Sequence, residues 1–245
     1  MPQRSVADQA RAWFHARMDE HQHRHRLYGR AAGKPLSRRQ QGLVEDLLPK
    51  LAIPETAKAA LVPGIIFGAM ARQTWLEIGF GGGEHLAGQA GLHPDVGFIG
   101  AEPFIDGVAK LLTAIEERKL SNVRVRRGDA RDLVAQFADQ SIDRAFILFP
   151  DPWPKTRHRK RRLMQPDFVA ELARVLKTGA GLRFATDWAD YANRALADVL
   201  RDGRFEWTSM RADDWRSPPA DHVTTRYQEK RLGDCAPVFL DFVRR

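Results

Sequence analysis

The chain of 245 residues is 43% hydrophobic and 29% charged, which supports one sizeable folded domain and excludes global disorder. Its 39 Lys and Arg outnumber 31 Asp and Glu, and the net charge of +8 favours acidic partners such as nucleic acid or an anionic surface. Cys235 is alone and cannot close an internal disulfide, no apolar run reaches the roughly 20 residues that span a bilayer, and the charged N-terminus lacks a secretory core, so a cytoplasmic protein with no membrane partner is expected.

Residues 1–48 read as a basic, partly flexible N-terminal arm, with Arg24, Arg26, Arg30, Lys34, Arg38 and Arg39 spaced among few apolar positions. The arm ends in a short helix from Ser37 to Leu48, with Ser37 as N-cap. His21, His23 and His25 alternate, which suits neither helical metal spacing nor a closed zinc site without cysteines; no metal is expected. Residues 49–72 carry three prolines and Gly64 and read as a connection holding a short helix. A single catalytic domain is expected over residues 49–245.

From residue 74 an alternation sets the class. Short runs rich in β-branched and aromatic residues predict strands at Thr74–Phe80, Val96–Ala101, Val123–Arg127, Ile142–Phe149 and Gly181–Ala185. Between them, helical periodicity predicts Glu84–Ala90, Ile105–Arg118, Arg131–Phe137, Pro166–Leu176 and Trp188–Leu200. Val108, Leu111, Leu112 and Ile115 form the core stripe of the second. Strands alternating with helices imply right-handed crossovers and a parallel sheet. Two further runs, Phe205–Met210 and Val238–Phe242, close the chain too near each other for a helical crossover and suggest an antiparallel edge. The expected fold is α/β, a mostly parallel seven-stranded sheet with helices on both faces.

Glu77-Ile78-Gly79-Phe80-Gly81-Gly82-Gly83-Glu84 follows the first strand and opens a helix. Glycine there permits positive φ and close approach of a ligand to the backbone. A dinucleotide fingerprint needs glycine at 84, where an acid would repel a pyrophosphate at the helix N-terminus; this disfavours an oxidoreductase. No Gly-Lys-Ser/Thr follows, so a P-loop fails too. A nucleoside ligand carrying a cationic or zwitterionic group remains. Glu102, Asp129, Asp151 and Asp187 end the next four strands, and open parallel sheets bind ligands at those ends. Glu102 suits ribose hydroxyls, and Asp129 an adenine amino group. Any one acid could merely cap the following helix; all five doing only that is improbable.

The fourth strand runs into Phe149-Pro150-Asp151-Pro152-Trp153-Pro154, followed by Lys155-Thr156-Arg157-His158-Arg159-Lys160-Arg161-Arg162. Such a cluster of fixed positive charge at a strand end points to phosphate neutralisation. A solvated charged loop is the plain alternative. Trp153 either stacks on a base or packs against the sheet.

The turn from Glu77 to Gly83, with Glu102 and Asp129, resembles the class I S-adenosylmethionine-dependent methyltransferase fold, which is Rossmann-like. The segment from Phe149 to Arg162, with Phe184-Ala185-Thr186-Asp187-Trp188 and Thr225-Arg226-Tyr227, resembles the bacterial tRNA (guanine-N7-)-methyltransferases. The likeness runs from about residue 27 to the C-terminus and includes Gly29-Arg30, Gly33 and Leu36-Ser37. It implies methylation of a variable-loop guanine in tRNA with S-adenosylmethionine as cofactor. It implies cofactor contacts at Glu77, Gly79, Gly81, Glu102, Asp129, Ala130 and Asp151, with Asp151 as the catalytic acid. Substrate contacts are implied at Lys155, Arg157, His158, Arg159, Lys160, Arg161, Arg162, Asp187, Thr225, Arg226, Tyr227 and Gln228. Relatives often carry Glu where this chain has Gln228, so an ionic role at that position does not transfer. The expected partner is tRNA, bound by a monomer or weak homodimer.

Guanine N7 has a free lone pair, so its methylation needs no proton removal. Asp151 is therefore expected to act through charge and positioning more than as a general base. A donor on N7 would occupy that lone pair, so the opposite edge, N1–H and the 2-amino group, is the edge to grip, and Asp187 is the candidate. Exocyclic-amine methyltransferases that act on adenine or cytosine are the nearest rival; here the aromatic Trp153 stands where their second proline belongs. A non-catalytic RNA-binding module is the rival from another class, and the full set of acids argues against it.

Overall fold

The structure is a computed structural model that describes residues 33, 35–53, 60–68 and 71–245. His21, His23 and His25, the arginines at 24, 26 and 30, and Lys34 lie outside the described residues, as does most of the expected arm.

Seven strands form one sheet: β1 (Gln73–Ile78), β2 (Val96–Ala101), β3 (Val123–Arg126), β4 (Ile142–Leu148), β5 (Leu176–Thr186), β6 (Phe205–Trp207) and β7 (Val238–Arg244). Their order is β3-β2-β1-β4-β5-β7-β6. The first five are parallel, and β7 runs antiparallel to both β5 and β6. Strand order reverses between β1 and β4, which opens a crevice at their carboxyl ends. Every residue of β2 is buried, and all of β1 after Gln73, because helices cover both faces. On one face, Leu86 of α4 (Glu84–Leu92) and Val108, Leu111 and Leu112 of α5 (Ile105–Arg118) pack with Trp75. On the other, α6 (Ala130–Gln136), α7 (Pro166–Val175) and α8 (Ala189–Asp202) bury Leu133, Leu172 and Val199 against Leu76 and Ile78. Alternation along β1 thus places Glu77 on the same side as Trp75 and α4.

Ser37 caps α1 (Arg38–Asp46) through a capping box with Gln40. This helix packs on α5: Leu43 is buried, and Arg39 pairs with Glu116 and Glu117 at 2.7 and 2.9 Å. A boundary at residue 48 therefore runs through packed structure. The connection that follows contains two short helices, α2 (Leu48–Leu51) and α3 (Pro63–Phe67). An isolated bridge between Ala52 and Val125 lies against the edge strand β3.

The largest departures from the expected elements fall in the last third. β5 starts five residues earlier than its apolar run, directly after α7, because Leu176 pairs with Ile142 across a bulge before the ladder resumes at Gly181. β6 stops at Trp207 instead of Met210. The Asp214 carboxylate accepts the Met210 and Arg211 N–H groups at 2.8 and 2.9 Å, which takes them off the sheet and ties them to α9 (Asp213–Arg216).

Candidate active site

The carboxyl ends of β1 to β4 open onto a cavity of about 800 Å³. Its floor is the glycine turn. Gly79, Gly81 and Gly83 take φ of 70, 56 and 78°, values that L side chains rarely adopt. A Cβ on Gly79 or Gly81 would meet nothing within 4 Å, so that backbone faces open space. The turn is held from behind. A Cβ on Gly107 of α5 would lie 2.2 Å from the Gly81 carbonyl oxygen, so only glycine lets α5 approach this closely.

Four of the five strand-end acids line this cavity: Glu77, Glu102, Asp129 and Asp151. Glu77 is buried, with Oε2 2.7 Å from Nδ1 of His85 on α4. Glu102 accepts the Gly81 N–H on one oxygen and the Phe104 N–H on the other, both at 2.9 Å. Burial nevertheless pushes its carboxyl above the usual range, those two N–H groups oppose the shift, and the nearby Asp151 adds to it. Asp129 caps α6 through the Arg131 N–H at 2.9 Å and pairs with the Arg131 guanidinium at 2.5 Å. Asp151 stands exposed at the rim, its carboxyl also raised by desolvation.

The turn bearing Asp151 is conformationally strained. Phe149 and Trp153 have φ of 51 and 40°, which for bulky residues costs about 1–3 kcal/mol each. Trp153 lines the cavity, and the Arg161 guanidinium lies 5.0 Å over its ring. It is half-buried and belongs to neither core cluster. The basic run forms a short 3₁₀ helix, Thr156–Arg161. Lys155, Arg157 and Lys160 are exposed, Arg159 lies 3.2 Å from Asp190, and His158 packs edge-on to Trp153.

Arg162 corrects the expectation of a substrate contact. Its side chain is 2% exposed and 2.7 Å from the Asp190 carboxylate, so it is committed to the protein and presents no charge to phosphate.

The C-terminal segment supplies the remaining wall. Thr225 caps α10 (Arg226–Glu229) through the Gln228 N–H. Thr225, Arg226, Tyr227 and Lys230 line the cavity; Gln228 does not, and its Oε1 sits 2.7 Å from Nε2 of His222. This wall is tied to the sheet by Asp221, which pairs with Arg183 and Arg144 at 2.7 and 2.8 Å. Asp187 lies outside the lining. It is buried, one oxygen accepting the Gly233 N–H at 2.9 Å while Oδ1 has no hydrogen-bond partner among the described residues. Its charge nonetheless reaches the cavity wall, since together with burial it raises the Tyr227 phenol.

His85 and Lys110 had no role in the sequence reading. His85 follows Glu77 by eight residues, as the second residue of α4, and that spacing was the available signal. Lys110 lines the cavity from α5, and nothing in the sequence separates it from an ordinary surface lysine.

Known proteins fit this arrangement. A family model described as "Putative methyltransferase" matches residues 71–238. The tRNA (guanine-N(7)-)-methyltransferase of a Caulobacter species is 59% identical over 219 residues, 89% of this chain and 95% of that protein. The tRNA (guanine-N(7)-)-methyltransferase of Hyphomonas neptunium is 54% identical over 221 residues, 89% and 98% of the two chains. Among solved structures, a variant of the 16S rRNA (adenine(1408)-N(1))-methyltransferase from Catenulisporales acidiphilia superposes with a TM-score of 0.50 at 18% identity, covering 72% of this chain and 89% of that one; this likeness concerns the fold.

Proposed function

The chain belongs to the tRNA (guanine-N(7)-)-methyltransferase family and methylates guanine N7 in tRNA with S-adenosylmethionine; we propose that the target guanine lies in the variable loop and that Asp151 carries the catalysis. The observation that bears most weight is the convergence of Glu77, Glu102, Asp129 and Asp151 on one cavity beside the basic loop.

The pocket fits the cofactor. Open space lies over the Gly79 and Gly81 backbone, and four carboxylates suit a ligand bearing an ammonium and a sulfonium. The bound cofactor supplies a methyl group on positively charged sulfur. Glu77, Gly79 and Gly81 would hold its amino-acid end, Glu102 the ribose through second lone pairs, and Asp129 with Ala130 the adenine. Asp151, raised by desolvation, stabilises positive charge as it develops on the purine. Fixed charge in a poorly solvated site is a strong lever on rate. Lys155, Arg157 and Lys160 bind ribose-phosphate chain, and Trp153 offers a face to the base. Duplex RNA hides N7 in a deep, narrow groove, which favours an exposed loop as target. The partnerless Oδ1 of Asp187, behind the Tyr227 wall, suits the N1–H and 2-amino edge once base and wall adjust. Among the described residues no helix is long and apolar enough to cross a membrane, which accords with action on tRNA in the cytoplasm.

The test is tritiated methyl transfer to unmodified tRNA followed by nucleoside identification and mapping. N7-methylguanosine in the variable loop is expected; label on an exocyclic amine or in another loop would reject the reading.

A further inference from the structure

The strained turn carrying Asp151 is pinned at both ends. The Phe149 N–H donates to the Ala185 carbonyl at 2.8 Å on the sheet side. On the other side Nε of Arg162 donates to the carbonyl of Pro152, the residue after Asp151, at 2.7 Å. Between these points the Asp151 carboxylate has no hydrogen-bond partner among the described residues. Its place over the pocket is set by backbone alone, and strained backbone holds only where its surroundings over-determine it.

We propose that Arg162 is the positioning residue for Asp151, fastening the turn to the start of α8. Three contacts fix the guanidinium. Besides Pro152, it pairs with the Asp190 carboxylate at 2.7 Å and lies 4.7 Å over the Tyr191 ring. Tyr191 is itself fully buried and accepts the Met164 N–H at 3.1 Å, so the platform beneath Arg162 is rigid. A planar fork can donate in two directions while its face packs on a ring; a lysine ammonium cannot. The last cation of the basic run thus acts on the reaction, while its exposed neighbours act on RNA. This rests on the reading of Asp151 as the catalytic carboxylate.

The experiment compares wild type with Arg162→Lys, Arg162→Gln, Asp190→Asn and Lys160→Gln, with Arg162→Lys also placed on Asp151→Asn. Single-turnover methyl transfer is measured at saturating tRNA and cofactor, and tRNA binding is measured across a salt series. Arg162→Lys is expected to slow transfer roughly 10²-fold, as for an ångström-scale misplacement, and the uncharged Arg162→Gln to leave the salt slope of binding unchanged. Asp190→Asn shifts the same way by less. On Asp151→Asn, the lysine should have little further effect, since both act through one carboxylate. Lys160→Gln instead flattens the salt slope by about 0.7. The proposal is overturned if Arg162→Gln flattens the slope and Arg162→Lys keeps its rate at saturation, or if the loss from Arg162→Lys adds in full to that of Asp151→Asn, as general damage would. A wild-type chain that binds tRNA without transferring methyl would overturn the catalytic reading instead, and the slope would still separate anchor from phosphate contact.

Discussion

Nδ1 of His85 lies 2.7 Å from Oε2 of Glu77, and both side chains are buried. The bond leaves Glu77 one carboxylate oxygen for the cavity it lines and fixes the rotamer that points there. His85→Ala should weaken S-adenosylmethionine binding about tenfold, the loss of roughly 1.4 kcal/mol from a charge-assisted hydrogen bond. His85→Asn, which restores a donor near Nδ1, should recover most of it. Calorimetric titration of the three proteins checks this; equal affinities would show that Glu77 needs no support.

Asp151→Asn should lower kcat by about 10²–10³-fold, the range for removing a preorganised charge that acts on the transition state. Cofactor affinity should fall far less. Because partial desolvation at the cavity rim raises the Asp151 carboxyl, folding favours its protonated form. Stability from this group is therefore greatest below its ordinary value and falls as pH rises through the raised one. At neutral pH the asparagine variant should accordingly melt no lower than wild type. Lost cofactor binding with unchanged turnover per bound complex would contradict the assignment.

Glu102 is raised by burial, with Asp151 adding repulsion. A sulfonium brought among these carboxylates favours their ionised forms. Binding of S-adenosylmethionine should then weaken as pH falls into the raised carboxylate range. S-adenosylhomocysteine lacks the sulfonium charge and should show a shallower dependence. Titrations in buffers of differing ionisation enthalpy should detect more proton release with the charged cofactor than with S-adenosylhomocysteine; identical profiles would remove the electrostatic argument.

With Arg162 turned inward, fewer cations of the basic run remain to meet phosphate. Lys155, Arg157 and Lys160 remain exposed, while Arg159 leans on Asp190. Three contacts at about 0.7 each predict a log-log slope of roughly −2 for binding to a single-stranded loop. Filter binding across a salt series measures it, and a flat response would exclude this loop as the RNA contact.

If Oδ1 of Asp187 accepts from the guanine 2-amino group, inosine-substituted tRNA should react at least tenfold more slowly, since a hydrogen bond to a charged group contributes about 1.5–3 kcal/mol. Equal rates on guanosine and inosine transcripts would leave Asp187 as the clasp of the Gly233 turn and nothing more.

Much of this was legible in the residues themselves. β2 and α5 fall where periodicity puts them, because a strand buried on both faces and a helix with one apolar stripe carry unambiguous patterns. Ser37 reads as a cap because capping is local. β5 and β6 depart from expectation at their ends, where pairing across the bulge at Ile142 and capture of N–H groups by Asp214 decide the boundary; Ile142 is distant in sequence, while Asp214 is near but acts by a turn back onto the chain that no periodicity marks. Asp129 shows the limit for side chains: its position at a strand end was plain, its pairing with Arg131 was not.

Sequence alone determined the sheet, the glycine turn and the acids at its strand ends, since alternation, glycine's positive φ and residue type are properties of single positions and near neighbours. Only the tertiary structure decided which charges face the cavity. Arg162 looks like its neighbours in a run of cations, yet burial against Tyr191 and Asp190 turns it inward. Asp187 matches the other strand-end acids, yet the Gly233 turn covers it. A charge's role depends on what displaces its water, and that is settled by chain segments far away in sequence.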